Sequence, residues 1–418
     1  TAAAIALLAC AVDEVTSIIF VSALIFQVCD RLKLNPTPYI MIAVLATNVG
    51  SAGTMMGNPV GIFIGTRAGL SFIDFMKWSF PIMLAALALT IAVTLLYFRR
   101  ELRQFDVNLK ERLARNLSLA PRVEVPFLPG LILLLAAVGA IAAHHQLETW
   151  LNLRPNSMLI VAPLICAGVV MIIRSQRARH YVEREVDWWT LVFFMLLFAI
   201  AGTLEHTGVA HKMAAGFIGL CGSTPAVLIP TIMGVAALGS AFVDNVIFVA
   251  AFAPVIDELG RTINGMPLWW ALLFGACFGG NITMIGSTAN IVALGMLEKR
   301  AAGGMSFFRW LKVGLMASLA ALGMAWFGLW LLSPLMPDRP TALEFSQLNR
   351  EFTGKNVILR GVAEPAASLP EPAVAWPSEK RVMYDYWVLR LPTDMRVPSV
   401  VVAAPKGMMP APGMGTFR

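Results

Sequence analysis

The sequence predicts an all-α polytopic membrane protein, an inverted repeat with two re-entrant hairpins and two broken helices, followed by a small β-rich tail. Three observations predict it. Apolar residues make up 58% of the 418 positions and charged residues 14%, with a mean hydropathy of +0.72, whereas soluble domains carry about 25% charged residues. Runs of about 20 apolar residues, long enough to cross a bilayer, recur along the chain. One constellation also occurs twice: an acidic residue or pair inside an apolar run, followed about 35 residues later by a Gly/Asn/Thr-rich break in a second run.

The first copy reads Val12-Asp13-Glu14-Val15 and then Asn48 to Pro59. The second reads Val243-Asp244-Asn245-Val246 and then Gly279 to Asn290. Thr54-Met-Met-Gly57 matches Thr283-Met-Ile-Gly286, and Ser71-Phe-Ile-Asp-Phe-Met-Lys77 matches Ser306-Phe-Phe-Arg-Trp-Leu-Lys312. Duplicated polar breaks in membrane helices point to a transporter's binding site at the bilayer midplane.

In chain order, Thr1 to Val28 is apolar but interrupted by the acidic pair, and Pro38 to Gly65 is broken at 48–59. A continuous span follows from Phe72 to Phe98. The next loop holds Arg99, Arg100, Arg103, Lys110, Arg112, Arg115 and Arg122 against four acids, so the positive-inside rule makes it cytoplasmic. Three spans follow: Phe127 to Ala143, Asn156 to Ile173 and Trp188 to Thr207. Ala226 to Leu259 carries Asp244, Pro267 to Leu297 is broken at 279–290, and Phe307 to Leu332 is the last span. Counting crossings returns Glu298-Lys299-Arg300 to the inside only when Ala226 to Leu259 enters and leaves by one face. The two copies then have opposite orientation.

The expected domains are a first transport repeat at 1–98, a cytoplasmic linker at 99–126, a second repeat at 127–332 and a β-rich tail at 333–418 on the external face. The second copy follows three spans and the first follows none. By symmetry about three spans belong upstream of Thr1.

A charged side chain at a helix centre costs about 2.5 to 3.5 kcal/mol on the insertion scale, so Asp13, Glu14 and Asp244 are functional candidates. The alternative is a hydrogen-bonded structural acid at a hairpin tip. Asn48, Ser51, Thr54 and Asn58, with Asn281, Thr283, Ser287, Thr288 and Asn290, sit among glycines that let the backbone leave helical geometry. Unwound carbonyls suit Na+, and the following half-helices present N–H groups to an anion. Asn245 completes the ion- or substrate-binding set, and a Na+ site is expected at Asn58, Asp244 and Asn290.

Other classes are disfavoured. The five cysteines lie in apolar runs without paired spacing, which argues against a disulfide framework or a resident metal. The net charge of +7 gathers at span ends, a membrane-orientation pattern and no nucleic-acid footprint. No nucleophile elbow, phosphate loop or zinc-protease motif occurs, so neither an enzyme nor a cofactor is expected. Trp188-Trp189 and Trp269-Trp270 read as interfacial belt residues. A membrane-anchored sensor or scaffold acting through the tail is the remaining class, and it has no use for duplicated breaks.

Leu238-Gly-Ser-Ala-Phe-Val-Asp-Asn245, Gly279 to Asn290 and Leu204-Glu-His-Thr-Gly208 resemble motifs of the arsenite and sodium/proton antiporter permeases (the ArsB/NhaD group) of the ion transporter superfamily. The resemblance covers Thr1 to Leu332. It implies secondary active transport by alternating access in a bacterial inner membrane, and the excess of carboxylates over basic residues near the site puts Na+/H+ antiport first and a coupled arsenite or carboxylate permease second. It also implies a homodimer. Two departures stand out. Asp13-Glu14 occupies the place of an Asp-Asn pair, and Gly61 the place where many members carry Asn.

Overall fold

The computed structural model describes residues 2–114, 127–151, 157–180, 209–222, 224–260, 263–300 and 305–337, isolated positions between 182 and 207, and five strands beyond 340. The expected span from Trp188 to Thr207 and the motif at 204–208 lie mostly outside the described residues, as do Arg115 to Glu124. The chain divides into two compact units. One comprises 1–258 and 267–336, and the other 259–266 and 337–418.

The larger unit is helical. Among the described residues, four helices are long and apolar enough to cross a membrane: Glu14–Leu32, Phe72–Tyr97, Pro225–Phe242 and Phe307–Leu335. This is a multi-pass membrane protein. Its first hairpin pairs α1 (Ala2–Ala11) with α2 (Glu14–Leu32), and α3 (Thr37–Ser51) and α4 (Pro59–Arg67) flank the first break. Then come α5 (Phe72–Tyr97), with a π-turn at Phe75–Ser79, and α6 (Arg99–Ala114). The middle helices are α7 (Phe127–Ala142), α8 (His144–Trp150), α9 (Met158–Ile173) and α10 (Val209–Cys221). The second hairpin pairs α11 (Pro225–Phe242) with α12 (Asn245–Gly260). The second break lies between α13 (Met266–Gly279) and α14 (Thr288–Lys299), and α15 (Phe307–Leu332) closes the unit.

Burial explains why backbone can break where it does. Every residue of α3 but Tyr39 is buried, as is the whole of α13. A helix apolar all round belongs inside protein, and irregular backbone at membrane depth is tolerated only away from lipid. Close approach comes from small residues. A side chain at Gly50 would strike the backbone of Ala6, and one at Gly279 would strike that of Ala237. The buried face of α15 runs Trp310, Val313, Gly314, Ala317, Ser318, Ala321, Ala325 and Leu329, a helical stripe of mostly small residues. The core between α2, α3, α14 and α15 is filled by residues such as Ile18, Val21, Met41, Leu45, Ala293, Trp310 and Val313.

Three expectations need correction. The first break is shorter than 48–59: α3 continues to Ser51, so Asn48 and Ser51 project from a helix. The second is shorter than 279–290, because Ser287 caps α14 and leaves Thr288 and Asn290 in its first turn. Trp270 is no belt residue. It is fully buried, with its ring edge-on to Phe75 at a centroid distance of 4.8 Å. Within the expected linker, Arg99–Ala114 forms α6.

In the smaller unit β1 (Thr341–Leu343) pairs parallel with β2 (Val357–Pro365), which pairs antiparallel with β3 (Tyr384–Arg390) and β5 (Gly413–Phe417). Antiparallel to β3 lies β4 (Val400–Pro405).

Candidate functional site

Asp13 interrupts the first hairpin because its carboxylate serves as a cap. Oδ2 accepts from Val15 N at 3.0 Å and Thr16 N at 3.2 Å, satisfying two of the donors that open α2. At the second tip Asp244 Oδ1 accepts from Val246 N at 3.0 Å, and its Oδ2 accepts from Thr288 Oγ1 at 2.6 Å. Capping accounts for the bonds of Asp13 to Val15 N and Thr16 N and for that of Asp244 to Val246 N. Glu14 caps nothing. It is 3% exposed, and its Oε2 meets Ser51 Oγ at 3.0 Å.

The hairpins are pinned to the breaks by matched bonds. Thr54 Oγ1 donates to Cys10 O, and Thr283 Oγ1 donates to Ala241 O, the corresponding position of the second hairpin. A side chain at Gly57 would meet Ser51 O, and one at Gly286 would meet Gly280 O. Both half-helices after the breaks start on a favoured cap. Asn58 Oδ1 accepts from Gly61 N at 2.7 Å with Pro59 next in line, and Ser287 Oγ accepts from Ala289 N at 3.2 Å.

Asn48 joins the two copies. Its Nδ2 donates to Asn281 Oδ1 at 2.8 Å and to Asn290 Oδ1 at 2.9 Å, and its Oδ1 accepts from Ser287 Oγ at 3.3 Å. Asn290 Nδ2 in turn holds Gly280 O and Thr283 O, both at 2.9 Å, while Asn281 Nδ2 reaches back to Leu45 O at 3.1 Å. All three asparagines are fully buried. An amide both donates and accepts, so three of them close a network that an apolar core cannot replace without leaving carbonyls bare.

A second chain of contacts leaves this hub toward Glu14. Ser51 Oγ approaches Asn48 O at 3.0 Å as well as Glu14, and Asn58 Nδ2 donates to Ser51 Oγ at 2.8 Å and to Cys277 Sγ at 3.1 Å. Bonds link the two hairpin tips to one region: Glu14 meets Ser51, which approaches Asn48 O, Asn48 accepts from Ser287, and the neighbouring Thr288 donates to Asp244. No basic side chain is among its described partners. Asn245, the counterpart of Glu14, is 1% exposed, and neither its Nδ2 nor its Oδ1 has a partner.

The thirteen sequence-selected residues therefore take different places. Asn48, Asn281, Ser287 and Asn290 form the hub, and Glu14, Ser51 and Asn58 the chain beside it. Asp244 and Thr288 pair at the second tip. Asp13 caps α2, Thr54 and Thr283 are hairpin staples, and Asn245 stands alone. Asn58, Asp244 and Asn290, the expected Na+ set, share no described hydrogen bond. Sequence reasoning missed the residues that hold the breaks' carbonyls: Ser79 Oγ on Ala52 O at 2.6 Å, Trp310 Nε1 on Asn281 O at 3.1 Å, Ser318 Oγ on Phe278 O at 2.8 Å and Cys10 Sγ on Gly50 O at 2.8 Å. The available signal was a lone polar residue inside an otherwise apolar span.

A family model described as citrate transporter matches residues 1–275. Uncharacterized transporters of Mycobacterium bovis and Mycobacterium tuberculosis are each 32% identical over 330 residues, which make up 78% of this chain and 74% of theirs. A 46 kDa membrane protein of Mycobacterium leprae is 33% identical over 331 residues, 76% of this chain and 73% of its own length. The P protein of Mus musculus is 27% identical over 382 residues, covering 74% of this chain and 46% of that protein.

Proposed function

Because the chain belongs to the citrate transporter family, we propose that it is a secondary active transporter moving a small carboxylate anion, citrate first among candidates, coupled to an ion gradient by alternating access. One observation carries the reading. Asn48, in the last turn of the helix that leads into the first break, is bonded to Asn281 and Asn290 around the second, which joins the two duplicated interruptions in one buried polar centre. A membrane anchor has no need of such a centre, and burying unpaired amides in one would cost stability.

The matched staples at Thr54 and Thr283, and the matched close approaches at Gly50 and Gly279, support an inverted repeat whose halves present the centre to opposite sides in turn. Charge decides what accompanies the anion. Asp13, Glu14 and Asp244 surround the region with no described basic partner, so a carboxylate enters only with cations that neutralise it. The positive dipole ends of α4 and α14 favour its negative charge.

Na+/H+ antiport of the ArsB/NhaD type is the second reading, and the same acidic excess favours it. Proteoliposomes holding the full chain separate the two. Labelled citrate uptake driven by a pH or Na+ gradient, and lost in Asp244→Asn, supports the anion reading. Gradient collapse on adding Na+ without citrate, again lost in Asp244→Asn, supports antiport.

A further inference from the structure

We propose that Glu14 is the proton-binding residue of the transport cycle, and that the Ser51 hydroxyl relays its state to the Asn48 hub, a device present only in the first of the two repeats. The inference rests on the reading of coupled transport above.

A serine hydroxyl has one hydrogen and two lone pairs. Ser51 Oγ has three neighbours at bonding distance: Asn58 Nδ2 at 2.8 Å, Asn48 O at 3.0 Å and Glu14 Oε2 at 3.0 Å. Asn58 donates and takes one lone pair. Asn48 O can only accept, and the Ala52 N–H that a continuing helix would bring to it is turned to Val49 O. The one Ser51 hydrogen can serve only one of these two oxygens, Asn48 O or Glu14 Oε2. When it goes to Asn48 O, the contact to Glu14 is a hydrogen bond only if the carboxyl brings its own proton.

Ionised Glu14 rearranges the set. The Ser51 hydrogen then turns to the carboxylate, the stronger acceptor, and Asn48 O loses its donor. Two protonation states thus correspond to two arrangements of the last turn of α3, the turn whose Asn48 side chain grips Asn281 and Asn290. The proton sits on Oε2, taken from solution on the side the site faces and released when it faces the other.

Among the described residues Glu14 has no fixed counter-charge. The titratable groups that act on it or feel it are Asp13, Asp244 and Cys277, and its remaining partners are the hydroxyls of Ser51 and Ser287. The two tip aspartates, in contrast, are engaged by backbone N–H groups or by Thr288. The second repeat lacks the device altogether. Asn245 stands at the position of Glu14 and Gly280 at that of Ser51, so the acid has become an amide and the relay hydroxyl is gone.

The test uses the full chain in proteoliposomes with two readouts: accumulation of labelled citrate driven by an imposed pH gradient, and citrate/citrate counterflow at equal pH on both sides, which needs no net proton movement. Glu14→Gln keeps a permanent donor toward Ser51. It should abolish pH-driven accumulation and leave a slower counterflow with a flat pH profile, while Glu14→Asp should restore some pH response. Accumulation by Glu14→Gln matching the wild type would overturn the proposal. Should the variants be inert, infrared difference spectra of wild type with isotope-labelled glutamate decide: a protonated glutamic acid band that changes on adding citrate supports the proposal, and no such band overturns it. A wild type silent to citrate in both assays would contradict the functional reading instead, and the infrared measurement repeated with Na+ would then judge Glu14 by itself.

Discussion

In residues 2–67 a threonine of the break holds the first hairpin through Cys10 O, and in residues 225–299 its counterpart holds the second through Ala241 O. Gly50 and Gly279 admit equivalent helices, α1 at Ala6 and α11 at Ala237, at the same step. The polar side chains then part company. Glu14, Ser51 and Asn58 form a connected chain in the first region, while the equivalent positions in the second are Asn245, Gly280 and Ser287, with the Asn245 amide unpartnered. Conversely, Asn290 clasps two carbonyls of its own break, and Gly61 has no side chain to do so. The two copies share their backbone approaches and differ in their polar side chains, and it is in such side chains rather than in the fold that function resides.

The comparison breaks most readily at the glycines. Gly50→Val and Gly279→Val should each abolish recovery of folded protein by size-exclusion chromatography, since the obstructing atoms are backbone and cannot move aside. A large effect at one and none at the other would end the equivalence. Next in size is Asn48→Ala, which strips Asn281 Oδ1 and Asn290 Oδ1 of their donor. Each buried group left bare costs about 1–3 kcal/mol, so the melting temperature should fall and uptake should cease, with Asn48→Asp failing likewise. Thr54→Val and Thr283→Val sharpen the comparison further. Each removes one buried bond, worth about 1 kcal/mol, and the two losses should agree in thermal unfolding.

The smallest effect belongs to two ion pairs that tie each half to the other. Arg67 Nε meets Asp257 Oδ2 at 2.6 Å, joining α4 to α12, and Arg300 Nη1 meets Asp30 Oδ2 at 2.6 Å, joining the end of α14 to α2. Both are partly exposed, and such pairs contribute about 0–1 kcal/mol. Double-mutant cycles on each should return coupling energies in that range, and a value well above it in one alone would show that pair to be shielded from solvent.

Much of this was legible in the sequence because charge in an apolar run is expensive. Asp13 and Asp244 located both tips to the residue, and the glycine-rich runs located both breaks. Boundaries were less legible. Glycine and asparagine mark the neighbourhood of a break, but the helix resumes where a cap forms, and the caps at Asn58 and Ser287 are hydrogen bonds, which composition does not reveal. Trp270 read as an interfacial anchor because adjacent tryptophans suit a membrane boundary; its burial against Phe75 depends on contacts nearly two hundred residues away in sequence. Ser79, Ser318, Trp310 and Cys10 were overlooked for the same reason, since each is defined by a distant backbone carbonyl. The membership of Asn48 in both halves at once could only come from the fold.

The proposed function requires two opposed halves to meet at one solute site. Thr16 and Thr288 are exposed beside Asp13 and Asp244, so Thr16→Cys and Thr288→Cys can each be probed with a membrane-impermeant thiol reagent in right-side-out and everted vesicles, with and without citrate. The account predicts that the two cysteines label from opposite faces and that citrate slows both reactions. Labelling of both from the same face, or rates indifferent to citrate and to any coupling ion, would contradict it.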